Sequence, residues 1–486
     1  MLCVLPATVA PTLTIAQNLP SLGDSDREEL SPLMERKLGE QIMRDMRRDR
    51  DYLDDAPLLE YLNNLGGTLV AAHPEARGEA GYDFFFFAVR DPVLNAFALP
   101  GGFIAVHSGL MLAAQSESEL ASVMGHEIGH VAQRHIARML GKQRQDSLIP
   151  LAGLVLAVLA ARSNPDASSA LLLSGEGVAL QRQLSFSRDA EREADRVGLQ
   201  ILQDAGYDTS GMISFFERMQ STTRSYSDAA PAFLRSHPMT TERIADIQAR
   251  TRNNRYKQHA DSLDFSLIKA RVRVLQDDSM QGMREAETIF NNQLQQNDQR
   301  QIASAKYGLA FIAFKRGRYE KARTLLQEAR TAIPKVSLPN AILSSLSIDI
   351  KLAANQSEEA LKEADAARVQ FPLSRGIAGQ YADALLAARH YEDAMRYLRD
   401  QTQLYRQEPR LQESLARTYS ALGKQALQHM ALAESYALSG SVPSALEQLA
   451  LARKASDASF YDLAVIDARD RELKAQWKEE MKEKKK

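Results

Sequence analysis

The chain has 486 residues, 44% of them hydrophobic, which exceeds one compact domain and is enough to build extensive cores. Its 60 basic and 62 acidic residues leave a formal charge of -2, so nothing in it makes a cationic track for nucleic-acid phosphates. The single cysteine, Cys3, excludes an intrachain disulfide and a thiolate metal cluster.

Met1 to Ala16 is uncharged, mostly apolar and ends in Thr14-Ile15-Ala16. It reads as an incomplete signal peptide, residues 1–16, that lacks its positive start, with the mature chain beginning near Gln17. Cys3 falls inside it, so the mature chain is expected to carry no thiol, compatible with an oxidising periplasm. Further on, Tyr82 to Val89 is aromatic and β-prone, and Phe97 to Val106 places Pro100-Gly101-Gly102 between two short apolar runs. These segments predict a small sheet.

The next element carries chemistry. Leu120, Ala121, Val123, Met124, Ile128, Val131, Ala132, Ile136 and Met139 recur at helical intervals behind a capping box of Ser116 and Glu119. Inside this helix lies His126-Glu127-Ile128-Gly129-His130, an HExxH motif. Two imidazoles four residues apart share one helix face, so both reach one metal ion with the intervening carboxylate beside it. That arrangement suits zinc-assisted hydrolysis. His135 prolongs the run to HExxHxxxxH; on a continuous helix it falls about half a turn off the pair's face, which makes it a surface residue or one standing behind the ligands.

Leu148 to Ala161 is largely apolar but interrupted by Pro150 and Gly153, and too short to span a bilayer, for which about 20 residues are needed. It is expected to fold over the site as a lid or to rest against a bilayer surface. A second amphipathic helix opens at Ser187-Arg188-Asp189-Ala190-Glu191 and continues through Val197, Leu199, Ile201 and Leu202. A catalytic zinc takes three protein ligands, so a third must come from elsewhere. Glu191 and Asp195 share a face, whereas Glu193 is rotated by about 160 degrees from Asp195 and points away from a metal on that face. Glu191 is therefore the expected third ligand, with Asp195 one turn beyond to accept the free ring N–H of a ligating histidine.

From about residue 262 the pattern changes to alanine-rich helices. Ala310, Gly317, Tyr319, Ala322, Ala329 and Pro334 keep the spacing of a tetratricopeptide repeat; Ala360, Ala367 and Pro372 repeat its second half, and Ala382, Tyr391 and Ala394 fit a third unit. Ala433, Gly440, Ala445 and Ala452 fit a further one after a gap long enough for an extra helix. Such repeats stack into a curved solenoid whose concave face binds partners. The expected organisation is thus mainly α: a gluzincin-type zinc metalloprotease domain over 17–261, an α-solenoid over 262–470, and a charged, solvated tail over 471–486.

HExxH followed by ExxxD, with Asn95-Ala96-Phe97-Ala98-Leu99-Pro100-Gly101-Gly102 upstream and Ser236-His237-Pro238 with Arg243 downstream, resembles the metallopeptidase family that includes HtpX and the CAAX prenyl protease. Within it, the resemblance runs over nearly the whole chain to a soluble periplasmic branch that enhances β-barrel assembly.

The resemblance implies one zinc ion per chain, bound by His126, His130 and Glu191, with Glu127 as the general base that takes a proton from the attacking water and returns it to the leaving amine. It implies that His237, which read alone is a turn residue, takes the fourth zinc position and holds the enzyme idle. Asp195 and Arg243 would complete the catalytic set, Arg243 facing a tetrahedral oxyanion or anchoring a carboxylate. Asn95, Ala96 and Phe97 would belong to an edge strand on which an extended substrate lies. The implied clients are unfolded or stalled outer-membrane β-barrel proteins at the barrel-assembly machinery, the lipopolysaccharide-transport barrel among them, with no nucleic-acid partner and only peripheral membrane contact. A non-proteolytic holdase or assembly scaffold is the alternative reading.

Overall fold

The computed structural model describes residues 30–483 apart from 79–80, 142–186, 226–232, 234–236, 253–258, 297, 334–338 and 407. The segment Met1–Ala16 expected to be a signal peptide, the apolar run Leu148–Ala161, Ser236 and Pro334 lie outside the described residues.

Helices α1 (Pro32–Met46) and α2 (Ala56–Ala72) each open on a side-chain cap followed by proline: Ser31 accepts the Met34 N–H and Asp55 that of Leu58. The expected small sheet consists of β1 (Phe85–Val89), β2 (Ala96–Leu99) and β3 (Phe103–His107) in the order β1-β3-β2, with β1 parallel and β2 antiparallel to β3. Gly101 and Gly102, at φ 81° and 91°, make the turn between β2 and β3 in the left-handed region that favours glycine. Alternation along the strands sends Phe86, Ala88, Ile104 and Val106 into the main core and Phe87, Val89 and Ala105 into a smaller one against α1. β2 is left as one edge of the sheet.

After α3 (Ser108–Ala113), helix α4 (Glu117–Ala132) runs through the centre of this region and is buried from Glu117 to Val131. Ser116 caps it by accepting the Glu119 N–H. Arg134 then takes a left-handed φ of 50°, and a separate helix α5 (His135–Gly141) begins. The later helices of this region are α6 (Arg188–Asp204), α7 (Ser210–Ser225) and α8 (Thr241–Thr251). α4 and α6 cross at glycine: a Cβ on Gly129 would stand 2.8 Å from the Ala194 carbonyl oxygen, and one on Gly198 would stand 2.9 Å from the His126 nitrogen. The two middle residues of HExxH thus include the one that lets the second acidic helix approach.

The repeat region runs from α9 (Leu263–Gln276) and α10 (Met280–Gln293) through α11 (Gln299–Lys315), α12 (Tyr319–Ala332), α13 (Ala341–Ala353), α14 (Ser357–Gln370), α15 (Arg375–Ala387) and α16 (Tyr391–Leu404). It continues with α17 (Pro409–Ala421), α18 (Gln425–Leu438), α19 (Val442–Lys454) and α20 (Phe460–Glu483). The repeat alanines Ala310, Ala322, Ala329, Ala360, Ala367, Ala382, Ala394, Ala433, Ala445 and Ala452 are all buried where helices meet. Helix α17 fills the gap between the third and fourth expected units. The expected solvated tail is corrected in part: Leu473 is buried on α20 and Trp477 packs beside it, because Ile466, Leu473 and Trp477 form one helical stripe.

The array curves round one short segment. Arg48 Nε donates to the Ser439 carbonyl at 2.9 Å, Arg410 pairs with Asp54 at 2.5 Å, Arg271 grips both oxygens of Asp55 at 2.7 and 2.8 Å, and Ser374 donates to Glu60 at 2.9 Å. Residues 48–60 are therefore a surface against which repeats far apart in the sequence pack. A single apolar core continues from α2 and α4 into α9, α11 and α13. Among the described residues, no helix is long and apolar enough to cross a membrane.

Candidate metal centre

Because α4 and α6 approach so closely, the i, i+4 pair on each helix faces the other. His126, His130, Glu191 and His237 come together with one potential ligand atom from each within 4.8 Å of the rest, all four buried. His126 Nε2 lies 3.1 Å from His130 Nε2 and 3.5 Å from Glu191 Oε2, and His130 Nε2 lies 3.5 Å from Glu191 Oε1. His237 Nδ1 joins at 2.9 Å from Glu191 Oε1 and 3.4 Å from His126 Nε2. Tetrahedral ligands at zinc distances of about 2.0–2.1 Å stand about 3.3 Å apart, so both donor types and spacing fit zinc.

Asp195 stands where the helical arithmetic put it, its Oδ1 3.0 Å from His126 Nδ1, the ring atom facing away from the cluster. Arg243 lies against two carboxylates. Its Nε and Nη2 bond Asp195, its Nη1 lies 2.7 Å from Glu191 Oε2, and Nη1 also donates to the Pro238 carbonyl at 2.9 Å. Glu193 faces away from the cluster, as the rotation predicted, and accepts from His135 Nε2 at 3.0 Å. His135 itself is buried, with its Nδ1 2.9 Å from His130 Nδ1. The surface alternative for His135 is thereby corrected: α4 stops at Ala132, and the left-handed Arg134 swings the next helix back behind His130.

Glu127 is fully buried, with the backbone of Ala98 on β2 as a hydrogen-bond partner and His237 Nε2 3.5 Å from its Oε1. Burial pushes its carboxyl above the usual range, against the pull of His237 and His126. Burial would pull His126 down, but hydrogen bonds to Asp195 and Glu191 raise it to about 9. His130, buried and beside His126, is held well below the ordinary histidine range. Burial opposes ionisation of Glu191, yet His237 and the hydrogen bond to His126 hold its carboxyl well below the ordinary range. This concentration of buried donors around one point is what a bound cation stabilises.

Asn95 is buried just before β2, Ala96 begins that edge strand and Phe97 is half-buried on it. The Asn95 side-chain amide has no hydrogen-bond partner on either atom. Next to it, the Leu94 carbonyl accepts the Phe233 N–H at 3.2 Å, and the Phe233 carbonyl accepts the His237 N–H at 2.8 Å. Phe233 is fully buried, with its ring stacked on His237 at 4.7 Å between centroids. No spacing rule pointed to Phe233, because it belongs to none of the periodic segments of the sequence.

The sequence model of Peptidase family M48 matches residues 68–251. The chain is 32% identical over 470 residues to the beta-barrel assembly-enhancing protease of Escherichia coli K12, covering 96% of this chain and 93% of that one. It is 32% identical to the protein of the same name in Yersinia pestis, covering 94% and 91%. It is 30% identical to the mitochondrial metalloendopeptidase OMA1 of Arabidopsis thaliana, covering 48% and 44%. With this identity over nearly the whole chain and this buried cluster of histidines and glutamate, the protein belongs to peptidase family M48, the zinc-dependent metalloendopeptidases.

Proposed function

We propose that this chain is a periplasmic endopeptidase that degrades unfolded or stalled outer-membrane β-barrel proteins and assists their assembly, with residues 17–261 as the peptidase and 262–470 as the repeat domain. The observation that carries this reading is the buried carboxylate of Glu127 beside the cluster of His126, His130 and Glu191. His126, His130 and Glu191 are the ligands, and His237 is the fourth. When bound, zinc polarises the scissile carbonyl and lowers the pKa of the attacking water.

Glu127 takes the proton from that water on a carboxylate oxygen and delivers it to the leaving amine nitrogen. Asp195 fixes the His126 tautomer through Nδ1, and Arg243 fixes Asp195. The Asn95–Phe97 segment, leading into the sheet edge, offers main-chain partners to an extended substrate, which suits the unpaired strands of an unfinished barrel. Clients would be engaged at the barrel-assembly machinery, with the lipopolysaccharide-transport barrel among them.

His237 supports low resting activity, since it stands among the ligands and beside Glu127. That position also favours the second reading, a non-proteolytic holdase or scaffold. Replacing Glu127 by Gln and following client degradation and client assembly in parallel separates the two. Loss of degradation is expected; degradation that continues unchanged eliminates the peptidase reading.

A further inference from the structure

His126 and His130 are symmetric in the motif but not in their support. Behind His126 stands a buried carboxylate, Asp195, itself gripped by Arg243. Behind His130 stands another imidazole. His130 turns Nε2 toward the cluster and Nδ1 toward His135 Nδ1 at 2.9 Å. His135 in turn presents Nε2 to Glu193 Oε2 at 3.0 Å, and Arg138 Nη2 reaches the same oxygen at 3.0 Å. His135 is buried, whereas the Glu193 and Arg138 side chains are 38% and 42% exposed, so the chain of contacts leads from the cluster to solvent.

We infer that His135 is a positioning residue for His130, the middle link of a relay His130–His135–Glu193 that fixes the ligand's tautomer and sets how firmly the site holds zinc. This rests on the assignment of His126, His130 and Glu191 as zinc ligands. With His130 binding through Nε2 and His135 neutral, these contacts are satisfied by one arrangement of protons. A His130 that binds through Nε2 carries its proton on Nδ1 and donates it to His135 Nδ1. With Nδ1 accepting, a neutral His135 carries its own proton on Nε2 and donates it to Glu193, which only accepts. Each ring thereby dictates the tautomer of the one before it. A hydrogen-bond acceptor behind a metal-binding histidine orients the ring, and loss of such a partner costs about 10–100-fold in metal affinity.

The placement of His135 depends on the chain break after α4. Arg134 is held in its left-handed conformation by Glu35, with Nε and Nη2 at 3.1 and 2.8 Å from Oε1, and by the Leu30 carbonyl. On an uninterrupted helix, His135 would lie on the wrong side of α4 to reach Nδ1 of His130. The break and the histidine are one device.

The test uses the full-length chain loaded with one zinc ion and challenged with a chromophoric chelator. His135→Ala is expected to weaken zinc about 10–100-fold. Glu193→Ala, at a partly exposed position, is expected to weaken it several-fold and serves if His135→Ala fails to fold. Glu193→Gln, which still accepts a hydrogen bond, should recover most of the loss. In histidine-labelled protein the His130 Nδ1 proton should be slow to exchange in the parent and fast in His135→Ala, a change that general loosening of the fold elsewhere does not produce. Zinc affinity within twofold of the parent in His135→Ala and Glu193→Ala overturns the relay. If Asp195→Ala loses zinc while these do not, only the relay fails; if the parent itself binds no zinc, the ligand assignment fails and the relay with it.

Discussion

Arg243 holds Asp195 by two parallel hydrogen bonds of 2.7 Å, Nε to Oδ2 and Nη2 to Oδ1, in a setting where both side chains are only 2% exposed. The same guanidinium reaches Glu191, so one cation neutralises two carboxylates that stand behind and among the metal donors. Such a pair is costly to form and costlier to break, because removing one partner strands a buried charge.

Arg243→Ala is therefore expected to destabilise the chain by about 3–5 kcal/mol and to empty the metal site. Arg243→Lys keeps the charge but not the fork, and should restore stability only in part. Urea denaturation with zinc analysis on the same samples checks both; a stable, zinc-loaded Arg243→Ala protein contradicts the role given to the pair.

His237→Ala should raise hydrolysis of an unfolded polypeptide above that of the parent. Phe233→Ala should move in the same direction, since the stacked ring and the 2.8 Å backbone bond seat His237 among the ligands. A loss of activity in His237→Ala at every pH would instead mark His237 as part of the reaction.

Gly129→Ala adds a single methyl group 2.8 Å from the Ala194 carbonyl oxygen. The helices must separate to admit it, which costs about 1–3 kcal/mol and draws Glu191 and Asp195 back from the histidines. Zinc affinity should fall. Equal zinc retention in the variant and the parent would show that the crossing tolerates the shift.

Asp349 gives a pH dependence away from the metal. Burial raises its pKa from 3.8 to about 6, despite the pull of Arg271 and a hydrogen bond from Gln380. The unfolded chain releases this proton first, so the unfolded state binds fewer protons between pH 3.8 and about 6 and stability falls as pH rises through that window. Above it the loss is constant, roughly 2–3 kcal/mol as an upper bound. Asp349→Asn should remove this decline and be the more stable protein at pH 7; parallel denaturation curves from pH 4 to 7 decide the matter.

Much of the centre was legible because it depends on local periodicity. His126, His130, Glu191 and Asp195 follow from 3.6 residues per turn on two helices, and the repeat alanines follow from the same rule. The same rule, run past Ala132, leaves His135 open between the surface and a place behind the ligands; the structure places it behind His130. The interruption is made by Glu35, nearly one hundred residues earlier in the chain, whose contact with Arg134 no window on the sequence contains. Likewise no local pattern marks out Asp54, Asp55 and Glu60, whose partners Arg410, Arg271 and Ser374 lie hundreds of residues away.

These long-range contacts give the molecule the mechanics of a wheel on a hub. Residues 48–60 are the hub, and turns as far apart in sequence as Arg271 and Ser439 are spokes fixed to it. Tyr61, the next residue along, donates to Glu117 at the first turn of α4, and Glu117 also accepts from Ser262 where the repeats begin. Force applied at the rim therefore converges on the root of the helix that carries HExxH, and a cut made at residue 262 would remove the tyre and leave the hub bare rather than release an independent arm.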